Sequence, residues 1–191
     1  MQIVATVRQQ IYDHFHGSAH CAAYFFDDAH ADEYAAYYNS MYLLQDSTES
    51  LLWHRMTGFS TAPLAAYLEF WGVMQAAIIQ QDAIAELNRV ILGHPLNARA
   101  KNLSSWLQLR ELRNVCAGHP ARKSTPSSQP LTRSFMGRSF GNYSSITYEQ
   151  WQQGVGITHP RIPLGLLLDA YEQEAGAELA SILAGMKVRW P

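Results

Sequence analysis

The 191-residue chain is predicted to be all-α, a bundle of four to five helices with one inserted β-hairpin at about residues 131–149. Three observations predict it. Apolar residues recur at three- and four-residue steps over 32–56, 63–92, 97–117 and 162–186, the spacing of one helix face. Two of those stretches end on Gly-His-Pro, at Gly93-His94-Pro95 and Gly118-His119-Pro120, where glycine can turn left-handed and proline forbids continuation. Short β-rich runs are confined to 131–136 and 143–148, around Gly137 to Asn142. The division that follows is an N-terminal extension over 1–30 and a helical domain over 31–191.

In the extension, Ile3, Val4, Val7 and Ile11 have the spacing of a short helix. His14, His16, His20, Cys21, Asp27, Asp28 and His30 then cluster. Gly17 separates His16 from His20 and no established ligand spacing is present, so these groups read as solvated or structural and no metal is expected. The first long helix takes Tyr34, Tyr38, Met41, Tyr42, Leu44, Leu51 and Leu52 as its apolar positions, the tyrosines serving as packing surface. Ser60 or Thr61 can cap the second, and Pro63 suits its first turn. Its stripe includes Leu68, Trp71, Met74, Ala77, Ile78, Ile84, Leu87, Val90 and Ile91. Gln75, Gln80, Gln81 and Asp82 on that helix read mostly as a solvated flank, with a polar site or a dimer contact as the alternative.

The third helix, 97–117, turns Leu103, Trp106, Leu107, Leu109 and Leu112 inward and carries Arg99, Lys101, Arg110 and Arg113. Residues 121–130, rich in Ser, Thr and Pro, read as a loop whose Arg122 and Lys123 can clamp a phosphate chain. Arg133 and Arg138 keep the hairpin basic, and 151–160 is a Gly-containing connection. The last helix, 162–186, places Leu164, Leu167, Leu168, Tyr171, Leu179, Ile182 and Leu183 inward, with Asp169, Glu172, Glu174 and Glu178 as an acidic outer face.

Composition narrows the class. With 48% hydrophobic residues, ten Tyr and five Trp, the chain can bury a core and is not a disordered segment. Its apolar runs are broken by Gln, Asp or Glu well before bilayer-spanning length, and its start lacks a basic-then-apolar signal, so no membrane is expected. Cys21 and Cys116 are too few for a disulfide framework, which fits a reducing cytoplasm. The net charge of −2 is unevenly spread: residues 1–98 carry −7, residues 99–161 carry +7 and residues 162–191 carry −2. The basic third can draw in an anionic substrate, or the acidic and basic parts can face each other within or between chains.

That basic third contains Leu109-Arg110-Glu111-Leu112-Arg113-Asn114-Val115-Cys116-Ala117-Gly118-His119-Pro120. Arg113 is a permanent cation with a planar fork of donors suited to phosphate oxygens. His119, with an ordinary pKa of about 6.5, can give or take a proton near neutrality. Asn114 can hold either in place. A phosphodiester attacked by its own 2′-hydroxyl needs a base for the hydroxyl and a cation for the developing charge. In an unbroken helix Arg113 and His119 stand about 120° apart and about 9 Å along the axis, so they cannot meet side by side. Either the helix ends first and the chain folds back, or two copies of the motif meet across a two-fold. His94 follows Arg89 at a similar distance but lacks the ordered Arg-Asn pair, and it reads as a helix-end residue.

Arg113-Asn114 with His119 after four intervening residues resembles the signature of the HEPN domain superfamily. The resemblance implies a HEPN-like bundle and a homodimer with a composite cleft built from two motifs. It implies a cofactor-free, metal-independent endoribonuclease, a toxin or phage-defence effector whose products carry 2′,3′-cyclic phosphate and 5′-hydroxyl ends. Under it, Arg113, Asn114 and His119 are the catalytic set, and Arg110, Arg122, Lys123, Arg133 and Arg138 bind RNA. An antitoxin or other partner protein is compatible with it, although Ala121 stands where members silenced by a nucleotidyltransferase partner carry tyrosine. The alternative is a non-catalytic HEPN-like domain that binds RNA or a nucleotide, or acts as a scaffold.

Overall fold

The computed structural model describes residues 1–118 and 130–191. Six α-helices dominate these residues: α1 Gln2–Gly17, α2 Ala19–Phe25, α3 Ala31–Thr57, α4 Pro63–Leu92, α5 Ser104–Arg113 and α6 Leu164–Arg189. None is long and apolar enough to cross a membrane. The antiparallel pair α3 and α4 forms one wall. Phe70, Val73, Met74, Ala77, Ile84, Leu87 and Ile91 of α4 meet Met41, Leu44 and Leu51 of α3 in the core. Gly58 (φ 75°) and Gly93 (φ 76°) end these two helices, and Pro63 opens α4 as the sequence predicts. Neither Ser60 nor Thr61 is the residue that starts α4. Ser60 Oγ instead accepts the N–H of Ala62, one step further on (3.1 Å).

α6 is the central strut, packed on α1, α4 and α5. Gly176 and Gly185 let neighbours approach it: a Cβ on Gly176 would lie 2.5 Å from Ile3 Cγ2, and one on Gly185 would collide with Leu92 Cδ2. The acidic residues of α6 do not form an outer face. Glu172 and Glu178 are buried. Glu172 takes the N-terminal ammonium of Met1 and the N–H of Ile3, and Glu178 takes Lys101. Asp169 pairs with Arg55, and Glu174 reaches the start of α5. Residues 1–30, expected as an extension, supply Val4, Ile11, Phe15, Cys21 and Phe25 to the same core. The N-terminal histidines are structural. His14 Nε2 and His20 Nδ1 lie 3.0 and 2.9 Å from the carbonyl oxygens of Trp190 and Pro191, and His30 stacks on Tyr24.

Two expectations fail between 97 and 162. The helix predicted over 97–117 begins only at Ser104, because Asn97 Oδ1 accepts the N–H of Ala100 (3.0 Å) and Asn102 turns left-handed (φ 55°), closing a separate turn. The predicted single hairpin is replaced by two three-stranded antiparallel sheets, so the chain is mainly helical rather than all-α. Strands β1 Thr132–Phe135, β4 Glu149–Gln152 and β5 Gly156–Thr158 form one, in the order β1-β4-β5. Strands β2 Gly141–Asn142, β3 Ser145–Thr147 and β6 Arg161–Ile162 form the other, in the order β2-β3-β6. The runs 131–136 and 143–148 therefore do not pair with each other. Gly141 (φ 112°) sits against the Ser145 carbonyl too closely for any Cβ, which sets the tight β2–β3 turn and sends β1 to a later partner. That partner, Glu-Gln-Trp-Gln, has none of the β-branched residues that announce a strand.

Candidate functional site

The motif helix is positioned from outside. Leu103 at the start of α5 offers no side-chain cap. Glu174 of α6 takes that role, accepting the N–H groups of Ser105 (3.0 Å) and Trp106 (2.8 Å) and the hydroxyl of Ser104 (3.3 Å). A carboxylate there satisfies orphan donors and meets the positive end of the helix dipole. Trp106, Leu109 and Leu112 then bury one face, and Gln81 Nε2 of α4 donates to the Trp106 carbonyl (3.1 Å). Gln80, fully buried, donates to Thr48 Oγ1 (2.8 Å), so these glutamines are core ties and not a solvated flank.

At its C-terminal end α5 changes pitch. Asn114–Gly118 form one π-helical turn, a widened turn that is rare and often found at functional sites. Val115 and Cys116 anchor it in the core. Burial pushes the Cys116 thiol up to about 12, so it stays neutral and is no nucleophile at ordinary pH. Gly118, expected to be left-handed, is not among the glycines with positive φ. Its missing side chain serves a close approach instead: a Cβ there would stand 2.8 Å from Arg113 Nη1.

Arg113, the last residue of α5, is half-buried beside this turn. Its Nη1 donates to Asn114 Oδ1 (3.3 Å) and its Nη2 to Gln75 Oε1 of α4 (3.4 Å). Both partners are neutral amides. Arg55, Arg89, Lys101 and Arg110 meet carboxylates, of Asp169, Glu86, Glu178 and Asp82, whereas Arg8 and Arg189, like Arg113, donate to neutral oxygens. Two of the expected catalytic residues, Arg113 and Asn114, are thus brought together. Arg110, expected to bind RNA, pairs with Asp82 of α4 and keeps part of its side chain exposed. Arg133 and Arg138 are exposed, on β1 and in the turn after it, and β1 lies against the π-helical turn. His119, Arg122 and Lys123 lie outside the described residues.

Gln75 also lines a cleft of about 760 Å³ between α3 and α4. Leu43, Leu51, Val73, Ala76 and Ile79 make apolar walls, Asp46 and Glu49 stand at the rim, and His54 and Glu69 close one end. His54 is buried, with Nδ1 2.6 Å from the Tyr143 hydroxyl and Nε2 3.7 Å from Glu69 Oε2. Glu69 accepts the N–H of Ser60 (2.6 Å). Burial raises the Tyr143 phenol to about 12, so it remains a hydroxyl. Sequence reasoning missed this group; a histidine on the inner stripe of the first long helix was the available signal. The carboxylates of this cleft repel a phosphate chain. Among the described residues no group of three His, Cys, Asp or Glu side chains could hold a metal ion. Comparison of the chain with family models, with curated proteins and with solved structures finds no match.

Proposed function

We propose that the chain is an endoribonuclease acting through Arg113, Asn114 and His119, of the metal-independent kind its motif resembles. One observation carries this reading: among the described residues, Arg113, the last residue before a π-helical turn, is held by two neutral amides and its charge is compensated by no carboxylate. A guanidinium kept that way has a well-defined orientation and an unspent charge, which is what a transition state rich in negative charge requires. In the proposed reaction the 2′-hydroxyl oxygen attacks phosphorus while His119 takes its proton. Arg113 steadies the phosphoryl oxygens, and the 5′-oxygen leaves with a proton. The products are a 2′,3′-cyclic phosphate and a 5′-hydroxyl end. Asn114, hydrogen-bonded to Arg113, is its positioning residue. A homodimer that joins two motifs belongs to the same proposal and meets the helical offset between Arg113 and His119.

The test is cleavage of labelled structured RNA in EDTA by the wild type, Arg113→Ala and His119→Ala. Losing the cation should lower the rate by about 10²- to 10³-fold. Losing the base should lower it by about 10²- to 10⁴-fold. Cutting by the wild type alone, with cyclic phosphate ends, supports the nuclease. Equal cutting by all three would falsify the assignment, and binding of RNA without cutting by any would favour a non-catalytic RNA-binding domain.

A further inference from the structure

We infer that the outer face of the β1-β4-β5 sheet is a stacking platform for single-stranded RNA, feeding the turn that follows Arg113. The inference rests on the reading that the chain acts on RNA and names the form of RNA it takes. Side chains alternate along strands, and the register places Arg133 opposite Trp151 and Trp151 opposite Ile157, with Phe135 opposite Glu149. One face therefore presents Arg133, Phe135, Trp151 and Ile157 together. All four are exposed, Phe135 at 64%, Ile157 at 60% and Trp151 at 37%. The alternate residues, Thr132, Ser134, Gln150 and Gln152, are half-buried on the other side.

Large apolar rings left in water beside fixed cations are the ingredients of single-strand recognition, because every base has a face to stack and every phosphate a charge to meet. Phe135 and Trp151 are diagonal cross-strand neighbours, about 7–8 Å apart. That is roughly twice the 3.4 Å rise between stacked bases in a helix. Each ring can therefore take one base of a strand whose bases are spread apart, and a duplex cannot offer that. Arg138 borders a hollow of about 380 Å³ together with Phe135 and Glu149. Glu149, the carboxylate on this face, has His159 Nε2 3.6 Å away as a partial counter-charge. The occupant is RNA rather than a protein partner because Arg133 and Arg138 outnumber the single carboxylate, Glu149, beside the exposed rings, and β1 lies against the π-helical turn that follows Arg113.

The experiment measures binding of a labelled 2′-O-methyl RNA 12-mer, which cannot be cut through its 2′-hydroxyl, and of a hairpin duplex of the same composition. Wild type should prefer the single strand. Phe135→Leu and Trp151→Leu keep the apolar bulk and remove the ring, and each should weaken binding by between about fivefold and about a hundredfold. Phe135→Tyr and Trp151→Phe should retain it, with thermal midpoints confirming that every variant is folded. Leucine variants that bind like the wild type, or a wild type that prefers the duplex, overturn the platform. Weakened binding by Arg133→Ala with no effect of either leucine variant also overturns it, pointing to charge alone. Platform binding without cleavage of ordinary RNA refutes the nuclease alone, and cleavage that ignores the leucine variants refutes the platform alone.

Discussion

At Gly118 stability and activity should move in opposite directions. Alanine in place of a helical glycine with ordinary φ removes freedom from the unfolded chain and is worth up to about 1 kcal/mol. The new methyl would nonetheless stand 2.8 Å from Arg113 Nη1 and push the guanidinium away from Asn114. Gly118→Ala should keep or raise the thermal midpoint while lowering RNA cleavage by up to about a hundredfold, since a displacement near 1 Å is that costly. Cys116 gives a second expectation. Its thiol sits at about 12 in the fold against 9.0 when free. The unfolded chain thus loses that proton first, so the contribution is intact below pH 9 and is lost as pH rises from about 9 to about 12. Tyr148, raised by burial from 10.0 to about 12, acts in the same direction. Urea midpoints should fall between pH 8 and pH 11, and less steeply in Cys116→Ser. Arg113 and Asn114 were legible from their order in the chain. The glycine's role was not, because a sequence shows where a side chain is missing and not what comes close to the gap.

Among the elements, α5 depends on its neighbour α6. Glu174→Ala removes the acceptor of two backbone N–H groups and should cost about 1–2 kcal/mol, read as a lower unfolding midpoint. Because the fraying starts at the far end of α5 from Arg113, cleavage should fall less than stability suggests. Arg110→Ala is the contrast. Its pair with Asp82 is exposed on both sides, so the loss should stay within about 1 kcal/mol and leave RNA binding nearly unchanged. The long helices α3, α4 and α6 were legible because a 3.6-residue period over seven or more turns is hard to mimic. The β-sheets were only half legible. Gly141 fits the tight β2–β3 turn through its close contact with Ser145, β4 is built of Glu, Gln and Trp, and β5 is only the three residues Gly156–Thr158.

For the molecule as a whole, α6 joins pieces far apart in the chain. Gly176→Val should destabilise by at least about 1–3 kcal/mol, since its new side chain would overlap Ile3 of α1. The mainly helical architecture and its core were legible from composition and period, while an all-α class was not what the chain adopts. The inward use of the acids on α6 was not. Their partners are a terminal ammonium, a lysine in a turn and a helix start, none of which carries a periodic signal.

The helix that presents Arg113 is thus completed by a carboxylate made 68 residues after Trp106. On a ribosome adding about 5–20 residues per second, the gap between them lasts on the order of several seconds. During that interval the nascent chain holds α5 without α6, the helix that caps its start and packs along it. Under the proposed function, a ribonuclease whose motif helix waits for α6 to be made spares, over that interval, the message from which it is being translated.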